Sequence, residues 1–369
     1  MGKKLVVFIL AALMVVSVLT GCAQTTNTPA PAQEAAAAPA QESAPETAQA
    51  APESDGASEA MKMVMITDTG GLGDGGFNDM AWNGLEMAKE QLGFEIAVIE
   101  STEASQYASN MSAAAQQGYD IIVCVGFLLE DALKEVAPQY PDTKFVMIDG
   151  SVDGPNIYSY KYKLNEGGFL AGALAAYVTK ADNFGTVGGM EIPDVVAWES
   201  GFVAGVKTIN PNAEVKTTYV GTFADPGKAK ELALAQFNAG AAAIMEISSG
   251  GAIGVIEAAR DAGKLFVATD KSKDSFAPGF ELTAALAARD VALFEAAKQI
   301  HDGTAVAGTT LLSMKDGVFG LPDNTEERYG KDAVDLIAKL KEMIISGQIV
   351  VPATKDEVAA YQAPDLGLK

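Results

Sequence analysis

From Lys62 onward, short apolar runs alternate with longer stretches in which apolar residues recur every three or four positions. The short runs, 63–66, 95–99, 121–125 and 145–148, have the length of single buried strands. Between them, 80–91, 107–116 and 130–137 carry helical spacing and polar outer faces. A long apolar helix over 165–178 then leads into a second series. Its strands are expected at 186–187, 215–220, 243–247 and 265–268, and its helices at 195–208, 227–239 and 252–262. Strand–helix alternation of this kind predicts parallel sheets with helices on both faces.

The two series resemble each other. Gly118-Tyr119-Asp120-Ile121-Ile122 opens a strand–turn–helix–strand unit that ends at Asp149, and Gly240-Ala241-Ala242-Ala243-Ile244 opens one that ends at Asp270. The separations are 31 and 30 residues, which suggests two similar α/β lobes, although any two such units look alike. Open parallel sheets bind ligands beyond the carboxyl ends of their strands, so two facing lobes would surround one cleft. The remaining segments (282–286, 289–300, 309–312, 318–319 and the helix 331–345) are expected to return the chain across the lobes as a multi-strand hinge. This divides the chain into an N-terminal lobe of 61–163 with part of 280–320 and a C-terminal lobe of 164–279 with part of 320–352. A tail of 353–369 follows, expected to be loose over 363–369.

The first sixty residues change the picture. Lys3 and Lys4 precede an uncharged, mainly apolar stretch over 5–19, too short for a comfortable membrane span and ordered like a signal peptide. Leu19-Thr20-Gly21-Cys22 resembles a bacterial lipoprotein signal, in which the cysteine takes lipid and becomes the new N-terminus. Residues 1–22 are therefore read as a leader with lipidated Cys22, which places the protein on the extracytoplasmic face of a cell membrane. Residues 23–60 contain no Ile, Leu, Val or aromatic residue and carry prolines at 29, 31, 39, 45 and 52. Such a segment buries too little apolar surface to offset its ordering entropy and reads as a disordered Ala/Pro/Glu-rich tether.

A formal net charge of −22 with pI ≈ 4.4 argues against nucleic acid as a partner. Only Cys22 and Cys124 exist, and Cys124 sits in an apolar run where a buried inert thiol is expected, so no disulfide is available.

The densest candidate chemistry is Thr67-Asp68-Thr69-Gly70-Gly71-Leu72-Gly73-Asp74-Gly75-Gly76-Phe77-Asn78. Gly71, Gly73 and Gly76 spell G-x-G-x-x-G, and Glu100 ends the next strand, so a dinucleotide fingerprint is formally present. Two residues too many separate strand from glycines, and Asp74 stands where a pyrophosphate needs bare amides. The other reading is a loop that presents Asp68, Phe77 and Asn78 to a neutral ligand: a carboxylate for hydroxyl donors, a ring for stacking, an amide for both roles. Phe77 as a core residue and Asn78 as a helix cap remain open alternatives.

Asp68 through Gly84, with Phe77-Asn78 and Trp82-Asn83-Gly84, resembles the basic membrane protein (BMP) family of lipoproteins, the PnrA-like nucleoside-binding substrate-binding proteins of ABC transporters. Gly126-Phe127 with Asp131-Ala132-Leu133, Tyr140-Pro141-Asp142 with Ile148-Asp149, and Glu166-Gly167-Gly168-Phe169-Leu170-Ala171-Gly172 are similar too. So are Val187-Gly188-Gly189-Met190 with Ile192-Pro193, Gly201-Phe202 and Asn210-Pro211; the likeness runs from about 62 to 352. It implies a two-lobed type I periplasmic-binding-protein fold without catalysis. It also implies a nucleoside ligand, a purine nucleoside favoured, held by aromatic faces with acids on the ribose hydroxyls. Permease and ATPase subunits would be partners, and the receptor is expected to be a monomer.

On matching positions the resemblance implies ligand contacts from Asp68, Phe77 and Asn78, from Phe127, and from Asp149. Asp131 is a candidate for a base edge or else a helix-terminal acid favourable to the dipole. Trp198 and Phe202, four apart on a helix, could supply an opposing ring, one stacking and one in the core. Gly250 and Asp270 complete the set from the second lobe. Two departures stand out. A lysine common in the family after the strand near Leu282 is replaced in Thr283-Ala284-Ala285-Leu286-Ala287, with Lys271 and Arg289 as candidate substitutes. The glycine turn reads Ser248-Ser249-Gly250-Gly251-Ala252. His301 is the only histidine, and no metal spacing or nucleophile elbow is present, so neither enzyme activity nor a cofactor or metal is expected. The alternative reading is a sugar-binding or sensor lipoprotein of the same fold that engages a signalling partner.

Overall fold

The computed structural model describes residues 60–367; the leader, Cys22 and the tether up to residue 59 lie outside the described residues. In chain order the first half runs β1 (Lys62–Ile66), α1 (Phe77–Leu92), β2 (Glu95–Ile99), α2 (Tyr107–Gln116), β3 (Ile121–Val125), α3 (Glu130–Val136), β4 (Lys144–Ile148) and β5 (Ile157–Tyr162). The chain then crosses to α4 (Leu164–Thr179), β6 (Asn183–Gly188), α5 (Pro193–Ile209), β7 (Glu214–Tyr219), α6 (Pro226–Asn238), β8 (Ala243–Ile247), α7 (Ala252–Ala262), β9 (Leu265–Asp270) and β10 (Glu281–Ala287). It returns through α8 (Arg289–His301) and β11 (Gly308–Leu312). A last crossing leads to β12 (Phe319–Gly320), α9 (Thr325–Tyr329), α10 (Lys331–Ile345) and α11 (Lys355–Ala360).

These strands form two six-stranded sheets, ordered β11-β5-β4-β3-β1-β2 and β12-β10-β9-β8-β6-β7. All pairings are parallel except the short antiparallel contact of β10 with β12. The architecture is the expected α/β fold of two lobes joined by three crossings, β5 to α4, β10 to α8, and β11 to β12. Along β3 and β4 successive side chains go to opposite faces, and both faces are covered. Ile122, Cys124, Phe145 and Met147 pack under α2 and α3, while Ile121, Val123, Val146 and Ile148 join the core on the other side. Full burial on both faces explains why these strands read as unbroken apolar runs. Burial also pushes the Cys124 thiol up from its ordinary pKa, in keeping with an inert core residue.

Three elements were not predicted. Strand β5 reads Ile-Tyr-Ser-Tyr-Lys-Tyr, an alternation whose polar members hide a strand that is mostly buried. α9 and α11 are too short for a periodic signal. The predicted tail is held through residue 361: Thr354 caps α11, Lys355 pairs with Glu191 at 2.6 Å, and the Tyr361 and Thr208 hydroxyls lie 2.9 Å apart. α1 also starts three residues earlier than expected, because Asp74 caps it from the preceding loop.

A close glycine seam joins α4 and α5. A Cβ on Gly172 would lie 2.2 Å from the Phe202 carbonyl oxygen, one on Gly205 would lie 2.1 Å from that of Phe169, and one on Gly201 would lie 1.9 Å from that of Asn165. The helices approach backbone to backbone, and only glycine permits it. Gly172→Ala and Gly205→Ala are each expected to cost about 1–3 kcal/mol through overpacking. Gly320→Ala, with no atom within 4 Å of the added carbon, should leave stability near wild type. Urea unfolding of the three variants checks this; equal midpoints would refute the seam.

Candidate functional site

A small cavity of ≈ 70 Å³, partly open to solvent, lies beyond the carboxyl ends of both sheets. Every wall begins where a strand ends. The N-terminal lobe contributes Asp68 after β1, Phe77 at the start of α1, Gly126, Phe127 and Leu128 after β3, and Asp149 after β4. From the other lobe come Leu164, the first turns of α5 with Ile192, Asp194, Val195 and Trp198, Phe223 before α6, Ser249 after β8, and Asp270 at the end of β9. Arg289, first residue of α8, completes it.

The glycine loop is organised by carboxylates of its own chain. Gly70 N–H donates to Asp68 Oδ1 at 2.9 Å and Leu72 N–H to Glu100 Oε2 at 3.0 Å. Gly73 and Gly75 N–H donate to Asp79, and Gly76 and Asn78 N–H to Asp74, at 2.7–3.0 Å. Amides already bound to anions offer no nest for pyrophosphate, so the G-x-G-x-x-G match has no phosphate-binding geometry. Ser249 Oγ donates to Asp74 Oδ2 at 2.8 Å, tying this loop to the facing lobe.

Asp68, nearly fully buried, also accepts from Asn78 Nδ2 at 2.9 Å, and both of its hydrogen bonds among the described residues fall on Oδ1. Burial pushes its pKa up to about 6, against the opposing pull of the Asn78 and Gly70 donors. Asp149 is likewise raised by burial, with the Arg289 charge pulling the other way, and its Oδ1 is buried without a hydrogen-bond partner. Asp194, half-buried in the wall, is raised to about 7 by desolvation and the nearby Asp149 charge. Asp149 and Asp270 both carry positive φ, 54° and 73°, unusual for residues other than glycine. They are the two ends of the repeated units, and Arg289 is ion-paired to both.

Asp68, Phe77, Phe127, Asp149, Trp198 and Asp270 are therefore brought together around one cavity. Asn78 stands behind Asp68 rather than on the wall; it lies inside the first turn of α1, not at its cap, and its Oδ1 is buried and unpartnered. Gly250 sits on the seam between lobes, where an added Cβ would lie 2.9 Å from the Phe223 carbonyl oxygen and 3.4 Å from that of Gly70. Phe202 is wholly buried against Phe184, with ring centroids 6.4 Å apart, so Trp198 faces the cavity and Phe202 the core. Asp131 is not in the cleft: its side chain is 98% exposed and pairs with Lys134 at 3.1 Å. The preceding residue points inward instead, Glu130 Oε1 accepting from Ser151 N–H at 2.8 Å. Asp194 and Phe223 were missed. An acid at a helix start reads as a dipole partner, which hid Asp194; Phe223, a lone aromatic in a polar turn after a strand, was a usable signal.

Because Asp68 is protonated more readily in the folded chain than in the unfolded one, folding loses stability as pH rises from about 4 through about 6. Asp68→Asn keeps an acceptor for Asn78 and removes the buried charge. It should stabilise the protein by about 1–3 kcal/mol at pH 8, with the gain shrinking towards pH 4. Urea unfolding across this range tests it; a gain independent of pH would refute a raised Asp68.

Comparison with known proteins agrees with the architecture. A family model described as "ABC transporter substrate-binding protein PnrA-like" matches residues 61–355. The chain is 32% identical over 318 residues to the ABC transporter nucleoside-binding protein BmpA of Lactococcus lactis subsp. cremoris, covering 79% of this chain and 89% of that protein. It is 30% identical over 320 residues to an uncharacterized lipoprotein of Pyrococcus abyssi, covering 82% and 79%. A solved ABC transporter solute-binding protein from Aeropyrum pernix superposes with a TM-score of 0.74 at 27% identity, over 81% of this chain and 96% of that one. Two lobes, a cleft at the strand ends and a match across nearly the whole described chain lead to one conclusion: this chain belongs to the Bmp family of PnrA-like ABC transporter substrate-binding proteins.

Proposed function

We propose that the protein is a lipid-anchored, extracytoplasmic receptor that closes its two lobes on a nucleoside, a purine nucleoside favoured, and delivers it to the permease and ATPase of its transporter as a monomer without chemical change. The observation that carries this reading is the pairing of rings and carboxylates in one cavity. Phe77 and Phe127 of one lobe and Trp198 and Phe223 of the other line it, beside Asp68, Asp149 and Asp270. Flat rings suit a base, and free carboxylate oxygens suit a diol. The Lactococcus relative described as nucleoside-binding supports the same ligand class. Asn78 enters this reading as the group that holds Asp68, and Gly250 as a close-approach point on the seam. The anchor rests on Leu19-Thr20-Gly21-Cys22, and a relative described as a lipoprotein supports it.

Titration calorimetry with inosine, adenosine, guanosine and ribose tests the ligand. A nucleoside should bind and ribose alone should not, with no free base released during incubation; binding by no nucleoside would refute the reading. Phe77→Ala should weaken nucleoside binding roughly five- to a hundredfold, the range of one base–aromatic stack. Cys22→Ala should move the protein from the membrane fraction to the soluble fraction of its host; unchanged membrane retention would refute the anchor.

A further inference from the structure

Resting on the receptor reading above, we infer that Arg289 is a lobe-bridging positioning residue, whose guanidinium sets closure of the cleft by seating between Asp149 and Asp270. Arg289 stands directly after β10, at the point where the chain passes from the second lobe back to the first, and is 1% exposed. Its Nε donates to Asp149 Oδ2 of the N-terminal lobe and its Nη1 to Asp270 Oδ1 of the C-terminal lobe. The same guanidinium lies 5.1 Å from the Phe77 ring centroid and 5.4 Å from that of Tyr162. One cation at a hinge crossing thus touches an acid from each lobe and backs a ring that faces the cavity.

Closing the cleft brings two carboxylates into a water-poor space, where like charges oppose approach unless a cation lies between them. A guanidinium suits that place: it stays charged and its fork presents separate N–H groups in fixed directions, one set to each acid. A lysine ammonium, a point charge on a flexible stem, would satisfy the pair less completely. Arg289 also leaves Asp149 Oδ1 unpaired and holds Phe77 against the cavity, so the seat places the groups that meet a ligand. Two further lobe-to-lobe contacts, Ser249 to Asp74 and Lys271 to Asp79 at 3.9 Å, lie on the glycine-loop side and have no such link to the ring.

Small-angle scattering and calorimetry with inosine test this on wild type, Arg289→Lys, Arg289→Met, and the charge-neutral triple variant Asp149→Asn/Asp270→Asn/Arg289→Met. Without added nucleoside, the Arg289→Met radius of gyration should exceed that of wild type, and Arg289→Lys should fall between. Inosine affinity should drop at least tenfold in Arg289→Met and recover in part in Arg289→Lys, a rescue that a simple packing defect would not give. The triple variant carries no unpaired buried charge; it should fold, shown by its melting transition, yet scatter as an open molecule. Wild-type compactness in Arg289→Met or in the folded triple variant would overturn the bridge. Wild type that binds no nucleoside while Arg289→Met still opens would refute the ligand class and leave the bridge standing.

Discussion

Burial of both faces of both sheets is the constraint on which the rest depends. Once helices cover each face, a strand can show side chains to a ligand only at its ends. In each lobe the carboxyl ends of the parallel strands point the same way, and the two sets meet. Asp68, Asp149 and Asp270 each stand at such an end, and Phe77 and Phe127 open the next turn. The site is thus a by-product of parallel topology, and its polar character comes from the few residues that the sheets cannot bury. The glycine seam between α4 and α5 serves the same end, since it fixes the helix whose first two turns carry Asp194 and Trp198.

The glycine loop shows how local electrostatics override a motif. Its N–H groups lie where a phosphate-binding loop would hold an anion, but Asp68, Asp74, Asp79 and Glu100 have taken them. Those acids convert a would-be anion nest into a rigid, internally satisfied turn. The rigidity is useful because the turn carries Phe77 at its end and meets Ser249 across the cleft.

Much of this was legible in the sequence because it rests on periodicity. Strands β3 and β8 and helices α2, α7 and α10 occupy the predicted residues, since their apolar spacing is unbroken. The repeated unit ending at Asp149 and Asp270 was also visible, although not the left-handed backbone that both share. What sequence could not give was rotation. Trp198 and Phe202 lie on one helical stripe, and only packing shows that one meets the cavity and the other Phe184. Asp131 and Glu130 are adjacent acids at a helix start, and the turn of α3 sends Asp131 to solvent and Glu130 inward. Strand β5 was lost because Ser159 and Lys161 interrupt its aromatics.

Asp68, Asp149, Asp194 and Asp270 face a single cation, Arg289, among the lining residues. Burial raises the pKa of Asp68, Asp149 and Asp194, so each carboxylate is held in a form its surroundings disfavour. A ligand rich in O–H and N–H groups relieves that cost by donating to oxygens the protein leaves unpaired, such as Asp149 Oδ1. A phosphorylated ligand would instead add negative charge to a cavity whose one lining cation is already shared between two acids. The same acids that make the empty fold less stable near neutral pH therefore give a neutral, donor-rich molecule its advantage over an anionic one.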